Sequence, residues 1–572
     1  MNVHNPAAAT QTVAQTYMEA LHNYGIKYVF ANGGTDFAPI IEGILQSRQS
    51  GRALPEFVTV PHENVATAMA QGYYKVSGEM AAVMVHVNVG TANTICGVMN
   101  AARDNVPMLL AAGRTPLTET GHHGSRNNNI HWSQENFDQA AIVREHVKWD
   151  YELRDGQPVD TIVGRALDIA MTEPRGPVYL TLPRETLGNP ALPAGAQKRA
   201  RALGTTIAVP SAEAIEEAAD LLAKAENPLI ISAHAARDPR AFHALGRIAI
   251  DHAIAVATGQ YAALASANPM NLGALTPQLL KAADVVVVIN SPIPWIPRFS
   301  QPAETAKLIH IGCDPHFARY PFRGFEMDIA LAGDPGSALD MLNEALKVKL
   351  AGKKDKVEAR RAKNAELRKA FEDRKAAAIN AGRSQRPMTY PWIAHCVNQV
   401  KGKKDIISDE LGIGSMFLDI EEPGTHLATS SGALGMGLGQ GLGAKLARPE
   451  ANVITTVGDG SYMFGVPTAA HFVSQAEKLP VLTMIMNNSQ WYAVRRATTG
   501  MYPDGLAAKA NSLPIVDLAP SPDYEKIAES CGGYGERLED PDKVIPALER
   551  AFKKLSDGIQ VSLNVIVRPR EG

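Results

Sequence analysis

The side chains best placed to do chemistry lie in a short acidic turn, Val457-Gly458-Asp459-Gly460-Ser461, followed at a distance by Asn487-Asn488. Gly458 and Gly460 allow a backbone to approach a phosphate closely. Asp459 and Asn488 offer a carboxylate and an amide oxygen, hard ligands suited to Mg²⁺ that keeps phosphate oxygens and water. The apolar, β-branched run Asn452 to Val457 reads as a buried strand, so Asp459 falls at a strand's carboxyl end. Thr468 to Glu477 reads as a helix and Leu479 to Met486 as a returning strand that delivers Asn488 beside Asp459. The chemistry expected is the holding of a magnesium diphosphate.

A second set of candidates precedes it. Glu63, in Val60-Pro61-His62-Glu63, follows a strand and opens a helical run, where an acid is also at home electrostatically. His86 begins His86-Val87-Asn88-Val89-Gly90-Thr91-Ala92-Asn93, and an imidazole suits proton transfer near neutral pH. Thr35 stands in the loop Phe30-Ala31-Asn32-Gly33-Gly34-Thr35-Asp36. Gly121-His122-His123-Gly124-Ser125 is a polar loop; its adjacent histidines are a poor metal site, because neighbours in sequence rarely converge on one ion. In Glu410-Leu411-Gly412-Ile413-Gly414-Ser415, just past a strand, backbone N–H groups could meet phosphate. Ser430-Ser431-Gly432-Ala433-Leu434-Gly435-Met436-Gly437 is a further glycine-rich segment.

Gly-Asp-Gly followed by Asn-Asn at this distance resembles the signature of thiamine diphosphate enzymes, in the family of acetolactate synthase, pyruvate decarboxylase and benzoylformate decarboxylase. The resemblance covers nearly the whole chain, with motifs strong at both ends and weak in the middle. It implies that Asp459, Asn488 and the main-chain carbonyl of Gln490 bind the metal, with Gly458, Gly460 and Ser461 around the diphosphate. Gly412, Ile413 and Gly414 would form a second diphosphate loop. A carboxylate must meet the aminopyrimidine, a role that falls to Glu63, with Asn93 nearby. Leu434, or failing it Met436, would support the bent cofactor, and the carbonyl near Gly432 would meet its amino group. The His86 loop resembles the benzoylformate decarboxylase version, in which the histidine faces substrate and moves protons. Thr35 falls where that enzyme has a substrate-contacting serine, although Gly33 replaces the family's proline. His122 and His123 correspond to a catalytic histidine pair of pyruvate decarboxylases in otherwise dissimilar surroundings. Trp491 and Tyr492 would wall the substrate pocket, and no glutamate stands nearby to assist protonation.

These groups need a large α/β scaffold. A chain of 572 residues implies about three domains. The first block reaches Thr186, with strands at Tyr28–Ala31, Phe57–Val60, Ala81–Val87, Met108–Ala112 and Val178–Leu182. A Pro-, Gly- and Ala-rich linker, Leu187 to Pro210, leads to a second block with strands at Leu229–Ser232, Val285–Ile289 and Leu308–Ile311. Lys353 to Lys375 reads as a solvated connecting helix. The third block holds strands at Ile406–Ser408, Leu427–Ser430, Val453–Val457, Val481–Met486 and Leu563–Val567. Strand–helix alternation predicts an α/β protein with parallel sheets. With the resemblance, the expectation is three doubly wound parallel-sheet domains: pyrimidine-binding (1–186), middle (187–350), a charged linker helix (351–385) and diphosphate-binding (386–572).

A net charge of −3 gives no reason to expect a nucleic-acid or membrane partner. The four cysteines are scattered and fit a reducing cytosol, and Met1 to Gln11 lacks a signal-peptide pattern. A cytoplasmic enzyme is expected. By resemblance it uses thiamine diphosphate and Mg²⁺ on a 2-oxo acid or related carbonyl substrate, cleaving or forming a bond next to the carbonyl. Non-oxidative decarboxylation comes first. The alternatives are an acetolactate-synthase-like carboligase, a 2-hydroxyacyl-CoA-lyase-like enzyme, or a non-catalytic thiamine diphosphate-binding protein. FAD is not expected, because Ser232-Ala233-His234-Ala235-Ala236 stands where flavin-binding relatives carry a glycine-rich run. The family also implies a homodimer or homotetramer with each site shared between subunits.

Overall fold

In a computed structural model, which describes residues 11–192, 202–258, 261–429 and 431–569, the strands gather into three separate sheets. The first has the order β2-β1-β3-β4-β6-β5, from β1 (Tyr28–Ala31), β2 (Glu56–Thr59), β3 (Ala82–Val85), β4 (Met108–Arg114), β5 (Asp150–Glu152) and β6 (Pro177–Pro183). The second has the order β11-β10-β9-β7-β8, from β7 (Pro228–Ser232), β8 (Ala255–Ala257), β9 (Val285–Ile289), β10 (Lys307–Gly312) and β11 (Ile329–Ala332). The third has the order β13-β12-β14-β15-β17-β16, from β12 (Ile406–Glu410), β13 (His426–Leu427), β14 (Val453–Gly458), β15 (Leu482–Asn487), β16 (Tyr534–Leu538) and β17 (Val561–Ile566). Every strand pairing within these sheets is parallel. The central strands β3, β9 and β15 are buried along their whole length, which explains their unbroken apolar runs.

Four strands escaped the sequence reading: β5, β8, β11 and β16. Each closes the edge of its sheet. An edge strand has one neighbour and is kept short, so its pattern is weak. Expected strands also end early where a helix begins. Ala81–Val87 stops at Val85 because His86 is already the N-cap of a helix from Val87. Leu427–Ser430 shrinks to His426–Leu427, and Ser430 itself lies outside the described residues. Of the expected linker, residues 193–201 likewise lie outside them, as do residues 1–10 at the N-terminus.

Three helices hold the units together: α1 (Glu63–Ser77), α2 (Lys354–Gly382) and α3 (Gly437–Ala447). The charged helix α2 runs on past Lys375, inside the expected 351–385, and is not merely solvated. Arg360, 4% exposed, donates to the Leu222 and Ala225 carbonyls at 2.8 and 2.5 Å, and Asn364 donates to the Ala253 carbonyl at 2.9 Å. These bonds satisfy carbonyls at the ends of two middle-domain helices.

Helix α1 of the first unit packs along α3 of the third with almost no side chain between them. A Cβ on Gly72 would stand 2.0 Å from the Gln440 carbonyl oxygen, and one on Gly443 would stand 2.0 Å from that of Met69. Val65 and Met69 share a hydrophobic core with Leu438 and Leu442. Both helices begin at the same end, where Asn64 donates to the Gly435 carbonyl at 3.1 Å. Among the described residues no helix is long and apolar enough to cross a membrane.

Candidate active site

Asp459 is the first residue after β14 and starts a helix that runs to Phe464. It is 2% exposed. Its Oδ1 accepts the Gly460 N–H at 3.0 Å, while its Oδ2 is buried without a hydrogen-bond partner. Burial pushes this carboxyl up to about 6 despite the nearby N–H groups. A buried acid with one idle oxygen is a group that a cation would stabilise strongly.

Strand β15 lies beside β14, with Met486 opposite Gly458, so the asparagine pair emerges at the same sheet edge. The two asparagines then divide their work. Asn487 is a knot: its Oδ1 accepts from the Ser489 N–H and the Ser521 hydroxyl, and its amide donates to Asn564. Asn488, half-buried, accepts the Gln490 N–H at 3.1 Å. The Gln490 carbonyl accepts the Tyr492 N–H at 2.9 Å. Trp491 lies over the turn, and a Cβ on Gly460 would be 2.4 Å from its ring. Tyr492 begins a helix, Tyr492–Met501, that buries no residue.

The loop after β12 runs alongside. Glu410 pairs with Val457, and Gly412 sits so close to β14 that a Cβ would be 2.4 Å from the Thr456 hydroxyl. Ile413 is buried and Gly414 takes a φ of 78°, open to glycine at no steric cost. Gly432 is exposed with a φ of 75°, and a Cβ there would meet nothing within 4 Å. Leu434 keeps part of its surface, whereas Met436 is 1% exposed and shut into the core. Leu434 is therefore the residue available to the cleft.

On the other side, Glu63 opens α1, capped by His62, whose Nδ1 accepts the Asn64 N–H. Glu63 is 5% exposed and its Oε2 accepts from the Asn93 amide at 3.1 Å. A Cβ on Gly90 would come within 3.2 Å of its other oxygen. His86 leaves β3 and bonds through Nδ1 to Asp36 Oδ1 at 2.5 Å. Asp36, 3% exposed, also receives the Val87 N–H at 3.4 Å. This hydrogen bond is the main reason the imidazole is held above its ordinary value, with Gln134 adding to the rise. Two glycines make room for the pair: a Cβ on Gly34 would strike the His86 ring, and one on Gly113 would strike the Asp36 carboxylate. Thr35, one residue away, is exposed.

His122 and His123 are placed differently. His122 Nε2 meets the Asn189 side-chain oxygen at 2.8 Å and its Nδ1 accepts the Gly124 N–H at 2.9 Å. Both ring nitrogens are thus engaged in holding the loop. His123 is exposed, with its ring 4.3 Å from that of His122 and its Nε2 against Gly188. Sequence reading passed over Asp36, Asn64, Asn100 and Glu410. Asp36 was adjacent to a named residue, but its importance lies in a partner 50 positions away.

The chain is similar to known proteins along most of its length. Residues 11–142 match the N-terminal TPP binding domain of thiamine pyrophosphate enzymes, 215–342 the central domain, and 412–560 the C-terminal TPP binding domain. The chain belongs to the thiamine pyrophosphate enzymes. Benzoylformate decarboxylase from Pseudomonas aeruginosa is 25% identical over 504 residues, covering 85% of this chain and 87% of that protein. A probable acetolactate synthase large subunit from Methanocaldococcus jannaschii is 25% identical over 98% of this chain and 92% of its own. The 2-hydroxyacyl-CoA lyase 2 of Danio rerio is 23% identical over 97% and 91%. The fold of the thiamine diphosphate-dependent 4-hydroxybenzoylformate decarboxylase of Rhodococcus jostii superposes with a TM-score of 0.78 at 22% identity, covering 98% of this chain and all of that one.

As a thiamine pyrophosphate enzyme the chain offers residues that fit the cofactor. The idle Asp459 oxygen suits a cation beside a diphosphate, the open Gly432 turn leaves space, and Leu434 remains accessible. A separate cavity of about 780 Å³ lies between the first and middle units, lined by Arg103, Arg237, Asp314 and Tyr320 among others. Neither Asp459 nor His86 lines it.

Proposed function

We propose that this enzyme decarboxylates a 2-oxo acid without oxidation, releasing an aldehyde, with Mg²⁺ and thiamine diphosphate held between the start of α1 of one chain and the end of β14 of another. When bound, the cofactor supplies an electron sink for the pair left by a departing carboxylate. Asp459, Asn488 and the Gln490 carbonyl would hold the metal, and the 412–414 and 458–461 backbones the diphosphate. Glu63, fixed by Asn93, would hold a proton at the pyrimidine nitrogen. Loss of CO₂ must be balanced by one proton delivered to the former carbonyl carbon. His86 is the group suited to supply it.

The observation that carries this reading is the His86–Asp36 bond. A buried carboxylate on Nδ1 orients the ring and raises its affinity for a proton, with Gln134 adding to the rise. The similar identity to an acetolactate synthase and a 2-hydroxyacyl-CoA lyase supports a second reading, in which the same site joins or splits acyl units. A panel of aromatic and aliphatic 2-oxo acids, with and without acceptor aldehydes and coenzyme A, separates them. Aldehyde with no ligated product upholds decarboxylation; acetolactate or acyl-CoA turnover replaces it.

We also propose a cytoplasmic homodimer or homotetramer in which Glu63 and Asp459 of one site come from different chains. Mixing Glu63→Gln with Asp459→Ala protein, after dissociation and reassembly, tests this. Sharing leaves one intact site per hybrid and restores turnover. A site built within one chain leaves none, and the mixture stays inactive.

A further inference from the structure

The Glu410 carboxylate has no part in the steps above, yet it lies beneath the turn that shapes the cleft. Glu410 ends β12 and is 4% exposed. Its Oε1 accepts the Gly435 N–H at 2.6 Å and its Oε2 accepts the Gly437 N–H at 2.5 Å. A Cβ on Gly437 would stand only 3.1 Å from that oxygen, so a larger residue would crowd the grip. The two N–H groups flank Met436, and Leu434 comes just before them. From the opposite side Asn64 donates to the Gly435 carbonyl, and Asn100 donates to the Ala433 carbonyl at 2.8 Å. Leu434 therefore hangs between three fixed points, two from amides of the N-terminal unit and one from a buried acid.

We propose that Glu410 is a positioning residue: its carboxylate, gripping the backbone on both sides of Met436, sets the Leu434 turn in the shape that supports the bound cofactor. This rests on the thiamine diphosphate reading of the cleft. An ionised carboxylate only accepts hydrogen bonds, which matches two backbone donors. A protonated acid or an amide would turn a donor toward one of those N–H groups and lose part of the grip.

The grip has a pH dependence. Burial pushes the Glu410 carboxyl up to about 7, against the pull of the Gly435, Met436 and Gly437 N–H groups. Asp409, beside it on β12, adds to the rise. The segment from Gly435 to the first turn of α3 faces it with glycines and Met436, and β14 faces it with Thr455 and Val457, none of them charged. An acid raised above its ordinary 4.5 makes the folded state lose stability as pH climbs through about 7. Over the same interval the ionised form grows and the turn is held harder. Stability and cofactor affinity thus move in opposite directions with pH, as a side chain that merely fills space would not make them do.

The test compares the full-length protein with Glu410→Gln and Glu410→Asp. Thiamine diphosphate binding in excess Mg²⁺ is titrated by tryptophan fluorescence near pH 6 and near pH 8, and melting is followed without cofactor. Glu410→Gln is expected to bind about 10-fold more weakly near pH 8, to gain less affinity than wild type between the two pH values, and to melt no lower than wild type near pH 8. Binding equal to wild type at both pH values overturns the proposal, and so does weaker binding accompanied by an equal loss of melting temperature. Glu410→Asp keeps the charge on a shorter arm, and stands in should the glutamine variant not fold. It is expected to retain the rise in affinity with pH, and its loss counts against the proposal. Wild type that binds no thiamine diphosphate at either pH sinks the underlying reading of the cleft instead.

Discussion

In the C-terminal unit, proposed to hold the diphosphate, Asp459, Asn488 and Gly412–Gly414 sit at the ends of three adjacent strands, β14, β15 and β12. On the pyrimidine side, Glu63 is fixed by Asn93, 30 residues on, and His86 by Asp36, 50 residues back. The first half is made largely from backbone, with glycines admitting close approach, and aims one ionisable group, the idle oxygen of Asp459, at a ligand. The second half is made from ionisable side chains held in place by distant partners. The contrast separates two tasks. Holding a diphosphate needs local geometry, which a contiguous motif supplies. Moving protons needs adjusted acidities, which only tertiary neighbours can supply.

The sharpest way to break the contrast is to remove the ionisable group from the backbone-built half. Asp459→Asn is expected to lower turnover by roughly 100-fold or more through lost cofactor binding. It should nonetheless stabilise the metal-free protein. Folding raises this carboxyl from 3.8 to about 6, so the apoprotein loses stability as pH rises through that interval. Removing the charge should return on the order of 2 kcal/mol near neutral pH, read as a higher melting temperature in chelator. An apoprotein variant that melts lower than wild type would show that Asp459 is not a strained, idle acid.

On the pyrimidine side, Glu63→Gln is expected to reduce kcat by roughly 100-fold while leaving thiamine diphosphate affinity within a few-fold. Binding titrations beside steady-state rates check this, and parallel losses in both would erase the division of tasks. Asp36→Asn comes next. Without the carboxylate on Nδ1 the His86 value falls, so the alkaline limb of the rate profile should move to lower pH, with about a 10-fold loss above neutrality. The same bond stabilises the fold fully at acid pH and less as pH rises through the raised His86 value. An unchanged pH profile would remove His86 from the proton path. The smallest effect is expected from His122→Ala. Both its ring nitrogens hold the loop, so about 1 kcal/mol of stability should go while kcat changes less than about 2-fold. A large kcat loss would move catalysis into that loop.

The same contrast explains which parts of the molecule are legible in its sequence. The interior strands show as apolar runs, and β1 and β9 match the expected bounds residue for residue. The edge strands β5, β8, β11 and β16 do not, since a short strand with one neighbour carries little pattern. Asp459 and Asn488 announce themselves by spacing. Asp36 and Glu410 cannot, because a carboxylate's worth lies in its partners: His86 for one, and two backbone N–H groups more than 20 residues away for the other. His122 shows the converse, a residue type suited to catalysis whose two ring nitrogens are both engaged in tying a loop.

The seam between α1 and α3 carries a lesson for anyone recombining such proteins. Where Gly72 and Gly443 each meet the opposing backbone, no side chain cushions the join, so a shift in one helix has nowhere to dissipate. The two outer domains are in this sense a single inheritance. Transplanting either one alone from a relative should yield a misfitted cleft, whereas exchanging both together, around the resident middle domain, should preserve the spacing on which the cofactor depends.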